Sequence, residues 1–199
     1  MKKNSRHLSW SSISQWEYDK EAWARKYIDG IKEEPSKEMI LGKEIGERLA
    51  SDPAYLPQVP RLPVFEQELS AKFGNIPLIG YIDSYCPRTC RVKEYKTGKR
   101  AWDKKRADKH GQISMYLLML FLQFQVKPEN VDCELVWLST EERGDFSIAL
   151  IEPVVPQIFK TKRTMTDILK FGMKIKSVHK EMQEFIHSRA CNKVSPQVY

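Results

Sequence analysis

Two neighbouring stretches of alternating side chains constrain the fold of this chain more than any other feature. Within Leu78–Asp83 the odd-numbered and even-numbered residues fall on opposite faces of a β-strand, so Asp83 shares a face with Tyr81. Within Val92–Lys96 the same period predicts a second strand, and Pro87 lies between the two stretches, where a turn is expected. The sequence therefore predicts two adjacent strands joined by a turn.

These strands would bring three charged side chains together. Glu94 and Lys96 lie two residues apart on one face, and Asp83 lies on the neighbouring strand. Two carboxylates and one ammonium group in a small volume form an acid-acid-base cluster, and carboxylate oxygens are the ligands that hard divalent cations prefer. The same residues would also fit an ordinary cross-strand ion pair on a solvated face, which is what most Glu-x-Lys sequences are. The choice between the two depends on the motifs around the cluster.

Four separated pieces of the chain form such a set of motifs: Leu8–Trp16 (continuing to Gly30), Gly80–Asp83, Glu94–Gly98 and Gln112–Tyr116. In order and spacing they resemble the PD-(D/E)XK nuclease superfamily, in the branch related to the nuclease domain of RecB, which includes phage and CRISPR-adaptation exonucleases. The first piece is similar to the opening helix of that branch and the second to its acidic strand end. The third and fourth are similar to its signature strand and its Gln-x-x-x-Tyr helix motif.

The resemblance implies a fold, a reaction and a set of roles. The fold would be α/β, a restriction-endonuclease-like core with a central mixed β-sheet flanked by helices. The activity would be metal-dependent hydrolysis of phosphodiester bonds in DNA, as an exonuclease in recombination, repair, phage or defence processes. Asp83, Glu94 and the main-chain carbonyl of Tyr95 would bind Mg²⁺ or Mn²⁺, and Lys96 would orient the attacking water.

Gln112 and Tyr116 lie one helical turn apart and would both reach the cleft as further catalytic groups. For Gln112, a hydrogen-bonding prop for the strand ends is the alternative.

The sequence departs from the family pattern at two places. Where the family commonly has Gly-x-x-x-His on the second helix, Gly42 is followed by Gly46, so Glu47 is the nearest substitute for a metal-binding histidine. A solvated helix glutamate is the simpler interpretation of Glu47. Some relatives carry an iron-sulfur cluster held by one cysteine of the opening helix and three near the C-terminus. Here residues 17–19 contain no cysteine and the C-terminal part contains only Cys191, so we expect no cluster.

Two functions other than catalysis stay open. One is a DNA-binding subunit of a recombination or defence complex with a weak or inactive metal site, which the missing histidine favours. The other is a structural or partner-binding subunit of such a complex. The complete set of Asp83, Glu94 and Lys96 argues against both, because each of these groups has a separate role in catalysis.

A basic segment follows the signature strand. The whole chain has a formal net charge of +7 and a pI near 9.1. These values favour a polyanionic partner but also fit simple solubility. Because the segment leaves the strand close to the carboxylates, we expect it to contact DNA phosphates, with the indole stacking on a base or covering an edge of the core. The predicted DNA-binding residues are Lys99, Arg100, Trp102, Lys104, Lys105 and Arg106.

The remaining pattern describes one domain over residues 1–199, with a core of roughly residues 8–188 and a loose tail from Asn192. No apolar run is long enough for a membrane span or signal region, so we expect a cytoplasmic protein of a prokaryotic or phage-infected cell. The expected partner is DNA, and a protein partner or a second copy of the chain is a further candidate.

The predicted helices are a first one with a Ser12–Gln15 capping box that ends at Gly30, then residues 37–50, 108–124 and 164–188. The predicted strands, besides the two above, are residues 64–73, 131–138 and 146–151.

Overall fold

The structure is a computed structural model that describes residues 7–194, with the side chains of 192–194 left out of the description. Its strands are β1 (Val64–Phe73), β2 (Ile76–Cys86), β3 (Arg91–Gly98), β4 (Asp132–Glu142), β5 (Ile148–Leu150) and β6 (Gln157–Thr161). Its helices are α1 (Trp10–Tyr18), α2 (Lys20–Tyr27), α3 (Lys37–Ser51), α4 (Lys104–Asp108), α5 (Gly111–Phe124) and α6 (Met165–Val194), with a 3₁₀ turn at Pro128–Asn130.

The six strands form one mixed sheet in the order β1-β2-β3-β4, and β5 and β6 lie end to end on the outer side of β4. Strands β1, β2 and β3 are antiparallel neighbours, whereas β4 is parallel to β3. A parallel pair needs a crossover connection, which α4 and α5 supply here. The predicted α/β fold, a central mixed sheet flanked by helices, is confirmed.

The two faces of the sheet are covered differently. On one face α1, α2, α5 and α6 enclose the main hydrophobic cluster, in which α5 is almost wholly buried from Ile113 to Leu120. On the other face the buried Ile45 and Leu49 of α3 pack on Val136 and Leu138 of β4. No helix in the part of the chain that the structure describes is long and apolar enough to cross a bilayer.

The β1–β2 hairpin and the helix at 37–50 form as predicted, but the first helix differs. It begins at Trp10, because Ser9 is the residue whose hydroxyl accepts the Ser12 amide at 3.2 Å. The Ser12–Gln15 capping box was therefore wrong: the Ser12 hydroxyl lies in the core and accepts the Trp23 indole N–H at 2.9 Å. The helix also breaks at Asp19, whose extended backbone ends α1 and whose carboxylate caps α2.

Later elements also depart from the prediction. The helix predicted at 108–124 begins at Gly111 as α5, the basic segment before it contains the short helix α4, and the strand predicted at 146–151 is limited to Ile148–Leu150. Strand β6 was missed because its five residues do not alternate between buried and exposed positions, so the sequence shows no strand period there. Helix α6 continues to Val194, so the tail predicted from Asn192 is helical at its start, and 195–199 lie outside the described residues.

Strands β2 and β3 form a fork, and the fork positions the site. They pair only where Ser84–Cys86 meets Arg91–Lys93, and beyond that point they separate. The freed edge of β2 is partly taken by Leu8, which forms a parallel bridge to Leu78. Because Leu8 immediately precedes α1, this bridge holds the start of α1 beside the open part of the fork.

A buried arginine fixes the start of α5, the helix that closes the fork. The Arg163 guanidinium donates to the Ser114 hydroxyl at 3.0 Å, to the Thr161 hydroxyl at 2.5 Å and to the carbonyls of Ala107 and His110 at 3.1 and 3.3 Å. One side chain thus ties the end of α4, the start of α5 and strand β6 together. A planar guanidinium with five donors suits this task, and an ammonium group would satisfy fewer of these acceptors.

We predict that Arg163→Ala destabilises the protein by on the order of 3 kcal/mol, because it leaves several buried acceptors without a donor. Urea denaturation would measure the loss. The matched control is Lys180→Ala, which removes an exposed i,i+4 pair with Glu184 and should change the free energy of unfolding by less than about 0.5 kcal/mol. Equal midpoints for the two variants would contradict the role given to Arg163.

Candidate active site

Asp83 lies at the point where the fork opens. Its Oδ2 accepts a hydrogen bond from the main-chain N–H of Tyr95 at 2.8 Å, so the carboxylate takes the place of the missing ladder partner on β2. On the opposite side, the hydroxyl of Tyr116 donates to the main-chain carbonyl of Tyr81. Main-chain groups freed by the fork are therefore satisfied by side chains that also belong to the site.

Four side chains from β3 and α5 form a closed ring of polar contacts. The Lys96 ammonium contacts Glu94 Oε1 at 2.5 Å and donates to Gln112 Oε1 at 2.9 Å. Gln112 Nε2 donates to the Tyr116 hydroxyl at 2.6 Å, and that hydroxyl, which has one proton for two acceptors, lies 3.0 Å from Glu94 Oε2 as well as against the Tyr81 carbonyl. The ring brings together all four of the predicted catalytic residues outside β2.

The ring sets the orientation of Lys96. Glu94 is 1% exposed, whereas the Lys96 side chain is 28% exposed and reaches the cleft. An ammonium group carries three donors, and two of them go to Glu94 and Gln112, so the third can meet a water or a phosphate oxygen. Burial by itself lowers the pKa of Lys96, but the charges of Glu94 and Asp83 outweigh it and raise that pKa, so the group is cationic at neutral pH.

At Asp83, unlike Lys96, the surroundings disfavour the charged form of the side chain. Burial raises the pKa of its carboxyl well above the usual range, and the charge of Glu94 raises it further, against the lowering effect of Lys96 and the Tyr95 N–H. Two carboxylates in a partly buried site resist being ionised together. A bound cation would relieve this repulsion, which is a property expected of a metal site.

The donor set fits Mg²⁺ or Mn²⁺ in chemistry but is small. Among the described residues no three His, Cys, Asp or Glu side chains are placed to hold an ion together. Mg²⁺ commonly binds through one or two carboxylates and keeps several waters, so Asp83 and Glu94 suffice if a main-chain oxygen and water complete the shell. Glu47 lines the same cleft, yet its side chain is 67% exposed and lies 3.6 Å from the Lys43 ammonium.

Glu66 is a carboxylate of the cleft that the sequence did not single out. It lies on β1 between Phe65 and Gln67, whose partners on β2 are Ser84 and Ile82, and so it stands beside Asp83 across the hairpin. Its φ of 49° is left-handed, a rare backbone conformation for a glutamate in a strand. Burial and the charges of Glu94 and Glu47 raise its pKa. Only the backbone geometry reveals it, because strand alternation predicts no more than an exposed glutamate.

The cleft has two lobes that meet at Met39, Asp83, Lys96 and Gln112. The acidic lobe, of about 880 Å³, lies between α3 and strands β1 and β3. Its charged lining is Glu38, Glu47, Glu66, Asp83 and Glu94 against Lys43 and Lys96. The aromatic lobe, of about 850 Å³, lies between α1, the freed edge of β2 and α5. Its lining includes Trp10, Ser11, Ser14, Tyr18, Lys26, Tyr81 and Tyr116.

The basic segment lies elsewhere, since none of its six predicted residues lines either lobe. Trp102 is 9% exposed, its ring packs edge-on against His110 at 5.0 Å, and the Arg106 guanidinium covers it at 3.8 Å. It therefore covers an edge of the core, and stacking on a base would require Arg106 to move. Lys99 pairs with Glu142 at 2.6 Å, and Lys104 pairs with Asp108 in α4.

After the signature strand the chain forms α4, which packs along β6, and none of the six side chains lines the cleft beside the carboxylates. Phosphate binding by Lys99, Arg100, Lys105 and the others stays a prediction, for a surface outside the cleft. The cysteines are also dispersed: Cys86 and Cys90 flank the β2–β3 turn, Cys133 is buried in β4, and Cys191 is exposed in α6. The absence of an iron-sulfur cluster stays a prediction.

Comparison with solved structures identifies the fold. An alkaline exonuclease from Laribacter hongkongensis superposes with a TM-score of 0.56 over 95% of each chain at 13% identity. A phage-related exonuclease from Haemophilus somnus 129PT superposes with a TM-score of 0.51, also at 13% identity, over 90% of this chain and 82% of that one. These likenesses show that the chain shares its fold with these exonucleases. No family model and no curated protein matches the sequence.

His110, the residue before α5, gives a test of the electrostatics around the site. Its ring lies 5.8 Å from Trp10 and 5.0 Å from Trp102, and its Nδ1 has no hydrogen-bond partner among the described residues. Burial, helped by the charges of Lys96, Arg163 and Arg106, lowers the pKa of His110 from 6.5 to about 3. The folded protein therefore holds a neutral imidazole at every pH above that value.

We predict that this histidine makes the protein lose stability between pH 6.5 and pH 3. Below pH 6.5 the unfolded chain takes up a proton that the folded chain refuses, which costs about 1–2 kcal/mol at pH 5 relative to pH 7. His110→Phe keeps a ring between the two indoles and cannot titrate. Urea denaturation at both pH values should show a smaller drop for the variant, and an equal drop in both proteins would contradict the lowered pKa.

Proposed function

We propose that this chain is a divalent-metal-dependent nuclease that hydrolyses phosphodiester bonds in DNA. One observation carries the proposal: Asp83, Glu94 and Lys96 lie together at the fork, with Glu94 and Lys96 held in a closed ring of polar contacts that faces an open cleft. A structural ion pair would need neither the second carboxylate nor the cleft.

Metal binding is supported by the chemistry of the donors. Asp83 and Glu94 would hold Mg²⁺ or Mn²⁺ together with the main-chain carbonyl of Tyr95, and water would complete the shell. When bound, such an ion lowers the pKa of a water molecule and stabilises charge on the scissile phosphate. Burial and, after it, the charge of Glu94 raise the pKa of Asp83, and a bound cation would offset both effects.

The residues of the chain itself would act around that phosphate. Lys96 donates its remaining N–H to the attacking water or to a phosphate oxygen, where it stabilises the charge that develops during attack. Gln112 and Tyr116 are positioning residues, because their polar atoms are engaged with Lys96, Glu94 and the Tyr81 carbonyl. The prop role weighed for Gln112 fits these contacts better than direct catalysis.

The likeness to two exonucleases supports nuclease activity and, as a finer proposal, attack from DNA ends. The alternative is a DNA-binding subunit with a weak metal site. One observation favours it: among the described residues no third His, Cys, Asp or Glu side chain is placed to hold an ion together with Asp83 and Glu94. Cleavage assays separate the two, because only the nuclease loses an activity when the site is changed.

We predict that Asp83→Asn, Glu94→Gln and Lys96→Met each lower metal-dependent cleavage at least about 100-fold, since each removes a different part of one site. Gln112→Ala should lose about 10- to 100-fold, as expected for a residue that orients another. The control Glu44→Gln, on the exposed face of α3, should cleave like the wild type. End-labelled linear DNA and circular DNA, each with Mg²⁺ or Mn²⁺, are the substrates.

Loss of linear DNA with survival of circles would establish attack from ends. A Lys96→Met protein as active as the wild type would overturn the proposed role of the ring. A wild-type protein that binds DNA but cuts none of the substrates would favour the binding subunit.

Metal binding can be tested separately from cleavage, by its effect on thermal stability. Mg²⁺ or Mn²⁺ should raise the melting temperature of the wild type, because a ligand that binds only the folded state stabilises it, by about 2.7 kcal/mol at 100 times its Kd. Asp83→Asn should abolish this increase, whereas Glu44→Gln should keep it. Calorimetry with and without each ion measures the shift, and an equal shift in wild type and Asp83→Asn would place the ion at another site.

A further inference from the structure

The two lobes of the cleft differ in charge, and this difference affects which of them a polyanionic substrate can occupy. The acidic lobe presents five carboxylates and two ammonium groups, and so repels phosphates that are not neutralised by a cation. The aromatic lobe presents one carboxylate, Asp83, which belongs to the shared centre, together with Lys26 and Lys96. A nucleic-acid strand that reaches Lys96 would therefore lie in the aromatic lobe.

The side chains of the aromatic lobe suit bases as well as phosphates. Tyr18 is 89% exposed and Tyr81 is 45% exposed, and the Tyr81 hydroxyl donates to Glu68 Oε2 at 3.1 Å at the edge of the lobe. Exposed aromatic rings beside a catalytic cluster offer stacking surfaces, and every base has a face that can stack. The exposed Ser11, Ser14 and Lys26 add hydroxyl and ammonium donors for the backbone between the bases.

Stacking of this kind requires bases that are out of the duplex, because paired bases have their faces covered by their neighbours. We propose that the aromatic lobe binds unpaired nucleotides, so that this chain acts on single-stranded DNA or on a frayed end, with Tyr18 and Tyr81 stacking on the bases and Lys26 pairing with a phosphate. This substrate class rests on the proposed nuclease function, but the lobe can be tested without cleavage.

The experiment measures binding of fluorescein-labelled oligo(dT) by anisotropy in EDTA, where no metal-dependent cleavage occurs. Tyr18→Ala should weaken binding about 5- to 150-fold, the effect of removing one stacking ring, and Tyr81→Leu should act in the same direction. Tyr18→Phe should bind like the wild type, because it keeps the ring. The control Phe124→Ala removes another exposed ring, at the end of α5 and outside both lobes, and should change binding less than about twofold.

Two further measurements sharpen the assignment. Lys26→Ala should reduce the slope of log affinity against log salt by about 0.7, the value for one phosphate contact on a single strand, and Lys180→Ala should leave it unchanged. A relaxed, covalently closed circular duplex, which has neither an end nor an unpaired base, should bind Tyr18→Ala and wild type equally. Unchanged oligo(dT) binding by Tyr18→Ala, or an equal loss on the closed circle, would overturn the proposal.

Failure of this inference and failure of the proposed function give different results. If the wild type degrades DNA with Mg²⁺ or Mn²⁺ and Tyr18→Ala has an unchanged KM and Kd on single strands, the lobe is misassigned and the nuclease stands. If oligo(dT) binding depends on Tyr18 and no DNA is cut under any condition, the lobe is correctly assigned and the nuclease proposal falls.

Discussion

The separation of β2 from β3 at Asp83 is the constraint on which the site depends. Where two strands separate, their main-chain donors and acceptors lose their ladder partners, and those that are buried must be paired with other groups. Here the Asp83 carboxylate accepts a hydrogen bond from the N–H of Tyr95, and the Tyr116 hydroxyl donates one to the carbonyl of Tyr81. The fork and the site are therefore one structure, since the groups that make the fork tolerable are the groups that converge on the cleft.

The ring formed by Glu94, Lys96, Gln112 and Tyr116 has a cost that stability alone does not explain. Burying a carboxylate that is 1% exposed beside an ammonium is often no better than burying apolar side chains of similar volume. A fully paired network nevertheless fixes the position of each member, whereas a partly paired one is expensive. The closed ring gives Lys96 a defined direction, which is what chemistry at a phosphate needs.

Sequence reasoning found the parts of this protein that have local signals. The alternation in β1, β2 and β3, the Asp83, Glu94 and Lys96 set, and the Gln112–Tyr116 turn were all visible because their spacing reflects a strand or helix period. The fork was not visible, since it depends on where two strands stop pairing. Arg163 was missed for the same reason: three of its acceptors, on Ser114, Ala107 and His110, lie 49, 56 and 53 residues away along the chain. Glu66 was missed because its left-handed φ is a tertiary effect.

The basic segment shows why net charge is a poor guide to a binding surface. The chain carries an excess of seven positive charges, yet Lys99 and Lys104 pair with carboxylates and Arg106 covers the ring of Trp102. Such cations contribute to the long-range field that draws a polyanion toward the protein, but they do not define its path at contact distance. Within the cleft the local balance reverses, and one lobe is acidic. A nucleic-acid strand attracted by the whole molecule would thus be repelled from the acidic lobe unless a cation is bound there.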